Sequence, residues 1–79
     1  MAEDNKVMDS FDKNSTEEIR IQTSVYRGKK MVDVRIWAKT EEGKDPIPTK
    51  KGVTFNADFL PRLQEALKKT EDYLKTQID

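Results

Sequence analysis

"MVDVRIWAKT", residues 31–40, is the stretch from which the rest of the chain can be read. In an extended strand, successive side chains point to opposite faces. Val32, Val34, Ile36 and Ala38 then share one face, and Asp33, Arg35, Trp37 and Lys39 share the other. The one tryptophan of the chain therefore stands on the polar side, between two cations.

The preceding stretch has the same period. "EEIRIQTSVYRGK" (17–29) sets Ile19, Ile21, Thr23 and Val25 against Arg20, Gln22, Ser24 and Tyr26, the signature of a half-buried strand. Gly28 with Lys29 predicts a tight hairpin turn between the two strands. "EEGK" (41–44) predicts a second turn. "DPIPTK" (45–50) holds two prolines, which lack ladder donors and belong on an edge or at a kink. "KGVTFN" (51–56) predicts a short fourth strand, with Gly52 permitting a bend or a close approach.

Beyond residue 56 the period changes. Leu60, Leu63, Leu67, Leu74 and Ile78 recur at helical spacing, and Phe59 and Ala66 widen the stripe. Asn56 or Asp58 can cap this helix. Pro61 favours Asp58, because the proline then falls in the first turn. Strands followed by one helix predict an α+β domain: a four-stranded antiparallel sheet with a C-terminal helix covering its apolar face.

Residues 1–17 show little apolar periodicity and are expected to be a disordered acidic tail, leaving residues 18–79 as the folded domain. A folded part of about 60 residues makes a marginal core. The chain has no cysteine and no histidine, so disulfides, thiolate or imidazole metal sites and histidine-based triads are excluded. Small domains without such staples gain stability by oligomerising, and a homodimer is expected on that ground alone. The acidic, polar start does not resemble a signal peptide, and no apolar run approaches a membrane span. The expected setting is cytoplasmic.

The net charge of zero hides a segregation. Residues 1–18 carry six acidic side chains against two lysines, a net −4. Residues 19–52 carry nine cations against four acids, a net +5. An acidic end beside a basic segment points to a binding surface for an anion. Aromatics interleaved with cations on an open sheet suit single-stranded nucleic acid. Unpaired bases stack on the rings while Arg and Lys neutralise phosphates. Each feature has a plainer reading. The tryptophan also suits a dimer contact or a covering loop, and lysines on an edge strand also guard against aggregation. Asp33 on the same face opposes the binding reading unless Arg35 or Arg20 neutralises it.

Three stretches in order resemble the transcriptional coactivator family of positive cofactor 4. "YRGKKMVDVR" is similar to the family's aromatic–basic–Gly–Lys turn and the apolar strand after it. "PTKKGVTFN" resembles its Pro-x-basic-Lys-Gly segment, and "LPRLQEAL" its helix. The resemblance runs from Ile19 to about Leu74. It implies a curved four-stranded sheet followed by a helix (ββββα), assembled as a homodimer that binds single-stranded DNA without strong sequence preference. The compact chain resembles a small bacterial-type member, for which a nucleoid-associated location and the transcription machinery are further expectations.

The family's turn aromatic corresponds to Tyr26, its basic neighbours to Arg27 and Lys29, its strand arginine to Arg35, and its Lys-Gly pair to Lys51 and Gly52, with Lys50 before it. The expected nucleic-acid-binding set is Tyr26, Arg27, Lys29, Arg35, Trp37, Lys39, Lys50 and Lys51. Tyr26 and Trp37 would stack bases, and the cations would contact phosphates. No cofactor and no enzymatic role is expected. The rival readings are a protein-interaction module on the same face and binding of single-stranded RNA.

Overall fold

The computed structural model describes residues 5–41 and 43–77. The chain runs through strands β1 (Lys6–Asp12), β2 (Glu17–Tyr26), β3 (Lys29–Ala38) and β4 (Ile47–Asn56), a 3-10 turn (Ala57–Phe59), and helix α1 (Leu60–Thr76). The strands form one antiparallel meander in the order β1-β2-β3-β4. Four strands and a C-terminal helix are the expected α+β architecture, but the strands are not all the expected ones.

The segment expected to be disordered supplies β1. Residues 6–12 pair with β2, from Lys6 opposite Thr23 to Asp12 opposite Glu18. The period-two pattern fails there because the register shifts between Val7 and Asp9. A bulge adds an unpaired residue and breaks the alternation of faces. Met1–Asp4 of that segment lie outside the described residues. At the other edge, the stretch expected on an edge or at a kink and the short strand after it form one edge strand, β4. Pro48 sits opposite Trp37 on the outermost strand, where a missing N–H costs no ladder bond.

The β2–β3 register fixes the faces. Ile19 pairs with Ile36, Ile21 with Val34 and Thr23 with Val32, while Glu18 pairs with Trp37 and Arg20 with Arg35. Directly opposed residues share a face, so the apolar and polar faces fall as the alternation predicts. The turn lies one residue earlier than expected. Arg27 (φ 52°) and Gly28 (φ 77°) form it, and Tyr26 and Lys29 close the ladder. Two positive φ values give the hairpin twist that matches the flanking strands.

The β3–β4 ladder is interrupted between Arg35 and Trp37. Side chains bridge the gap. Thr49 Oγ1 donates to the Ile36 carbonyl at 2.8 Å, and the Arg35 guanidinium donates to the Thr49 carbonyl at 2.8 Å.

The helix does not cover the sheet of its own chain, contrary to expectation. Asn56, not Asp58, provides the cap: its Oδ1 accepts from the Asp58 N–H at 2.8 Å. That cap organises the 3-10 turn, and α1 follows with Pro61 in its first turn. β3 meets the 3-10 turn rather than the body of α1. Leu60, Leu63 and Ala66 are half-buried, but Leu67 is 59% and Leu74 53% exposed. Ile78 lies outside the described residues. Among the described residues only Val32, at 4%, is buried. The link from β4 is one short turn, so the helix runs on from the sheet instead of reversing across it, and both apolar surfaces stay uncovered.

Gly52 is a close-approach position. A Cβ there would lie 2.7 Å from the Val34 carbonyl oxygen and 2.8 Å from Arg35 Cα. Both obstacles are backbone, so relief requires moving β4 away from β3. Gly52→Ala is therefore expected to destabilise the fold by about 1–3 kcal/mol. Chemical denaturation measures this, and an unchanged midpoint would contradict the close packing of these strands.

Candidate nucleic-acid interface

The polar face of β2 and β3 is built around two arginines placed opposite each other. Arg20 pairs with Arg35 across the ladder. Like charges so placed repel unless neutralised. Each has a carboxylate two residues away on its own strand, which alternation puts on the same face. Arg35 Nη2 lies 2.9 Å from Asp33 Oδ1, and Arg20 Nη2 lies 2.9 Å from Glu18 Oε2. Thr54 Oγ1 also donates to Asp33 Oδ1, at 2.6 Å. Asp33 is thus neutralised by Arg35, one of the two partners expected for it. The middle of the face is charge-balanced.

Trp37 stands next to this group. The Arg20 guanidinium lies over the indole, 4.2 Å from the ring centroid. Trp37 itself is half-buried, and its Nε1 is buried without a hydrogen-bond partner. Tyr26 stands at the turn end of the same face and is 43% exposed. Arg27 reaches over it at 5.2 Å. Lys29, its cross-strand partner, is exposed.

The structure therefore brings together Tyr26, Arg27 and Lys29 at one end of the face, with Arg35 and Trp37 along it. Lys39 lies just past β3. Its amide donates to the Thr16 carbonyl at 2.8 Å, and its ammonium pairs with Asp12 of β1 at 2.8 Å. The acidic segment is thus in direct contact with one of the expected cations. Lys51 is not brought to the tryptophan. It reaches Glu17 at 3.9 Å, and Glu17 pairs with Ala38 on the apolar face. Lys50, its neighbour in the chain, is exposed.

Sequence reasoning missed Glu18 as part of this face and the contact of Arg20 with Trp37. Alternation along β2 did put Arg20 on the side of Tyr26. Only the cross-strand register sets it diagonally against Trp37, and no single-strand pattern encodes that.

The sequence model of the family described as Transcriptional Coactivator p15 (PC4) matches residues 13–66, more than half of the chain. The chain belongs to the PC4 family. The matched span includes all eight expected binding residues, from Tyr26 to Lys51, and omits β1 and the end of α1. No curated protein matches the chain.

Among solved structures, a PC4 homologue from Burkholderia pseudomallei, in an orthorhombic crystal form, superposes with a TM-score of 0.78. It is 30% identical, over 85% of this chain and 89% of that one. The tetragonal form of the same protein gives 0.76 at 29% identity, over 86% and 98% of the two chains. A bacteriophage T5 homologue of PC4, implicated in recombination-dependent DNA replication, gives 0.60 at 20% identity, over 94% and 82%. That likeness shows the fold. No helix among the described residues is long and apolar enough to cross a membrane, and no cluster of metal-ligating side chains occurs among them.

Glu17 is held below its ordinary pKa of 4.5, first by a hydrogen bond from the Asn14 side chain, then by Lys13. These contacts measure 3.0 and 3.3 Å, and Lys13 and Lys51 add Coulombic attraction. A folded-state pKa below the unfolded one contributes stability above the unfolded value and loses it as pH falls through the folded one. Glu17→Gln is therefore expected to flatten the decline of the thermal midpoint below pH 4.5. Parallel melting curves across acid pH check this, and identical slopes would remove Glu17 from the acid response.

Proposed function

We propose that this PC4-family protein binds single-stranded DNA with little base preference, as a homodimer, in support of transcription or genome maintenance. Membership of the PC4 family supports DNA binding. The observation that carries the single-strand reading is the sheet face itself. Two aromatics, Tyr26 and Trp37, share it with cations, and its fixed carboxylates are already paired with arginines. Unpaired bases offer π-faces to such rings, whereas a duplex hides them. Arg27 and Lys29 beside Tyr26, together with Lys39 and the exposed Lys50, supply charge for phosphates, whereas Lys51 is drawn to Glu17 on the other face. Arg35 is already committed to Asp33 and the Thr49 carbonyl, so its part is to hold the face in shape and to contribute charge.

The homodimer rests on a different observation. The apolar sheet face and the leucine stripe of α1 are both uncovered within one chain, and a second copy offers each surface to the other. Stripes of this kind on a small domain with one buried side chain among its described residues need a partner for stability. Leu67→Glu is expected to shift the protein towards monomer and lower its thermal midpoint. Sedimentation equilibrium reads the first effect. A wild-type protein that sediments as a monomer at all concentrations would refute the dimer.

The binding test is a fluorescence titration. Trp37 is the single tryptophan, so its emission reports on this face alone. Oligo-dT should quench it saturably, with duplex DNA a weak competitor. The affinity should fall with salt at a log–log slope of roughly −0.7 for each phosphate neutralised. Trp37→Ala should cost about 1–3 kcal/mol of affinity. A poly-U competitor as strong as poly-dT would assign the face to single strands of either kind. Emission indifferent to oligo-dT, with affinity unmoved by salt, would turn the reading towards a protein-interaction module.

A further inference from the structure

On the polar face the Arg20 side chain hydrogen-bonds to Glu18 and lies over Trp37. Its Nε and Nη2 both donate to one oxygen of Glu18, at 3.1 and 2.9 Å. Its guanidinium lies over the indole of Trp37, 4.2 Å from the centroid, well within the range of a cation–π contact. Both partners of the ion pair are largely covered, with side-chain exposures of 19% for Arg20 and 12% for Glu18. A charge-assisted pair that is well shielded holds its geometry better than an exposed one.

We propose that Arg20, locked by Glu18, is a positioning residue that makes Trp37 a one-sided stacking platform for a single unpaired base. The proposal rests on the single-strand reading above and adds residues to it. One ring face is occupied, so a base reaches the indole only from the side away from Arg20. An indole pinned from one side presents a fixed plane and loses less rotamer freedom on binding. The buried Nε1–H has no acceptor and offers none of its hydrogen to a ligand, so contact runs through the ring, and ring stacking tolerates any base. Glu18 cancels the charge of Arg20, so the pair adds no net attraction for phosphate.

That last point separates a positioning role from a phosphate contact. Arg20→Lys keeps the charge but loses the planar fork that stacks and grips the carboxylate. Binding of oligo-dT should weaken about threefold or more, part of the 5–150-fold that losing a stacking aromatic costs. The salt slope should not change, and saturating quench of Trp37 should be shallower. In a Trp37→Ala background the same substitution should have no further effect, because the coupling runs through the ring. The Glu18→Gln/Arg20→Gln double variant, which leaves net charge unaltered, should behave as Arg20→Lys does. It provides a second route should one variant fail to fold.

Three results would overturn the proposal: wild-type affinity in both variants, a salt slope reduced by roughly 0.7 in the double variant, which lacks the cation, or an undiminished effect without Trp37. The second would make Arg20 a phosphate contact. Wild-type protein that ignores oligo-dT would overturn the parent reading and this one with it.

Discussion

The two-residue turn at Arg27 and Gly28 is the constraint on which the site depends. It sets Tyr26 opposite Lys29, and every β2–β3 pair back to Glu17 and Ala38 follows from that first one. A slip of one residue would exchange the faces of a whole strand. It would send Ile19, Ile21 and Val25 to the polar side and separate Arg20 from Trp37. The register also forces two arginines into opposition. That arrangement is tolerable because each strand carries its own carboxylate two residues away. Glu18 and Asp33 are therefore part of the sheet's stability before they are part of any binding face.

The same neutralisation shapes the electrostatics of the interface. Arginine charge in the middle of the face is used internally, so attraction for a polyanion comes from its margins. At one end stand Arg27 and Lys29, beside the exposed Tyr26. At the other stands Lys39, whose ammonium is held by Asp12 of β1. The acidic first strand thus lowers the charge of that end from within the sheet, as a fixed neighbour and not as a tethered counterion.

Irregularities at both edges strengthen this design. The bulge in β1 and the interruption between Arg35 and Trp37 bend the outer strands. At the second, Thr49 and the Arg35 guanidinium supply the missing bonds, and Gly52 lets β4 come close to the Arg35 backbone. The arginine that neutralises Asp33 also joins β3 to β4 where the ladder fails. The helix adds little to this single sheet in one chain. Its leucines and the apolar sheet face remain as surfaces for another molecule.

Periodicity in the sequence determined β2, β3, the helix and the two faces of the central hairpin. A period-two pattern with one buried side has only one stable register class, and a leucine stripe at helical spacing has only one economical conformation. Tyr26, Arg35 and Trp37 were legible on one face for that reason. Tertiary structure alone decided what alternation does not encode. The bulge at Val7–Asp9 concealed β1, whose residues carry too few apolar positions to announce a strand and are ordered by pairing with β2. The short 3-10 link sent the helix away from the sheet, a direction that depends on backbone angles at three residues. The gap beside Ile36 turned Lys51 towards Glu17 and away from Trp37. The stacking of Arg20 on Trp37 arises across strands, from a diagonal that exists only once the register is fixed.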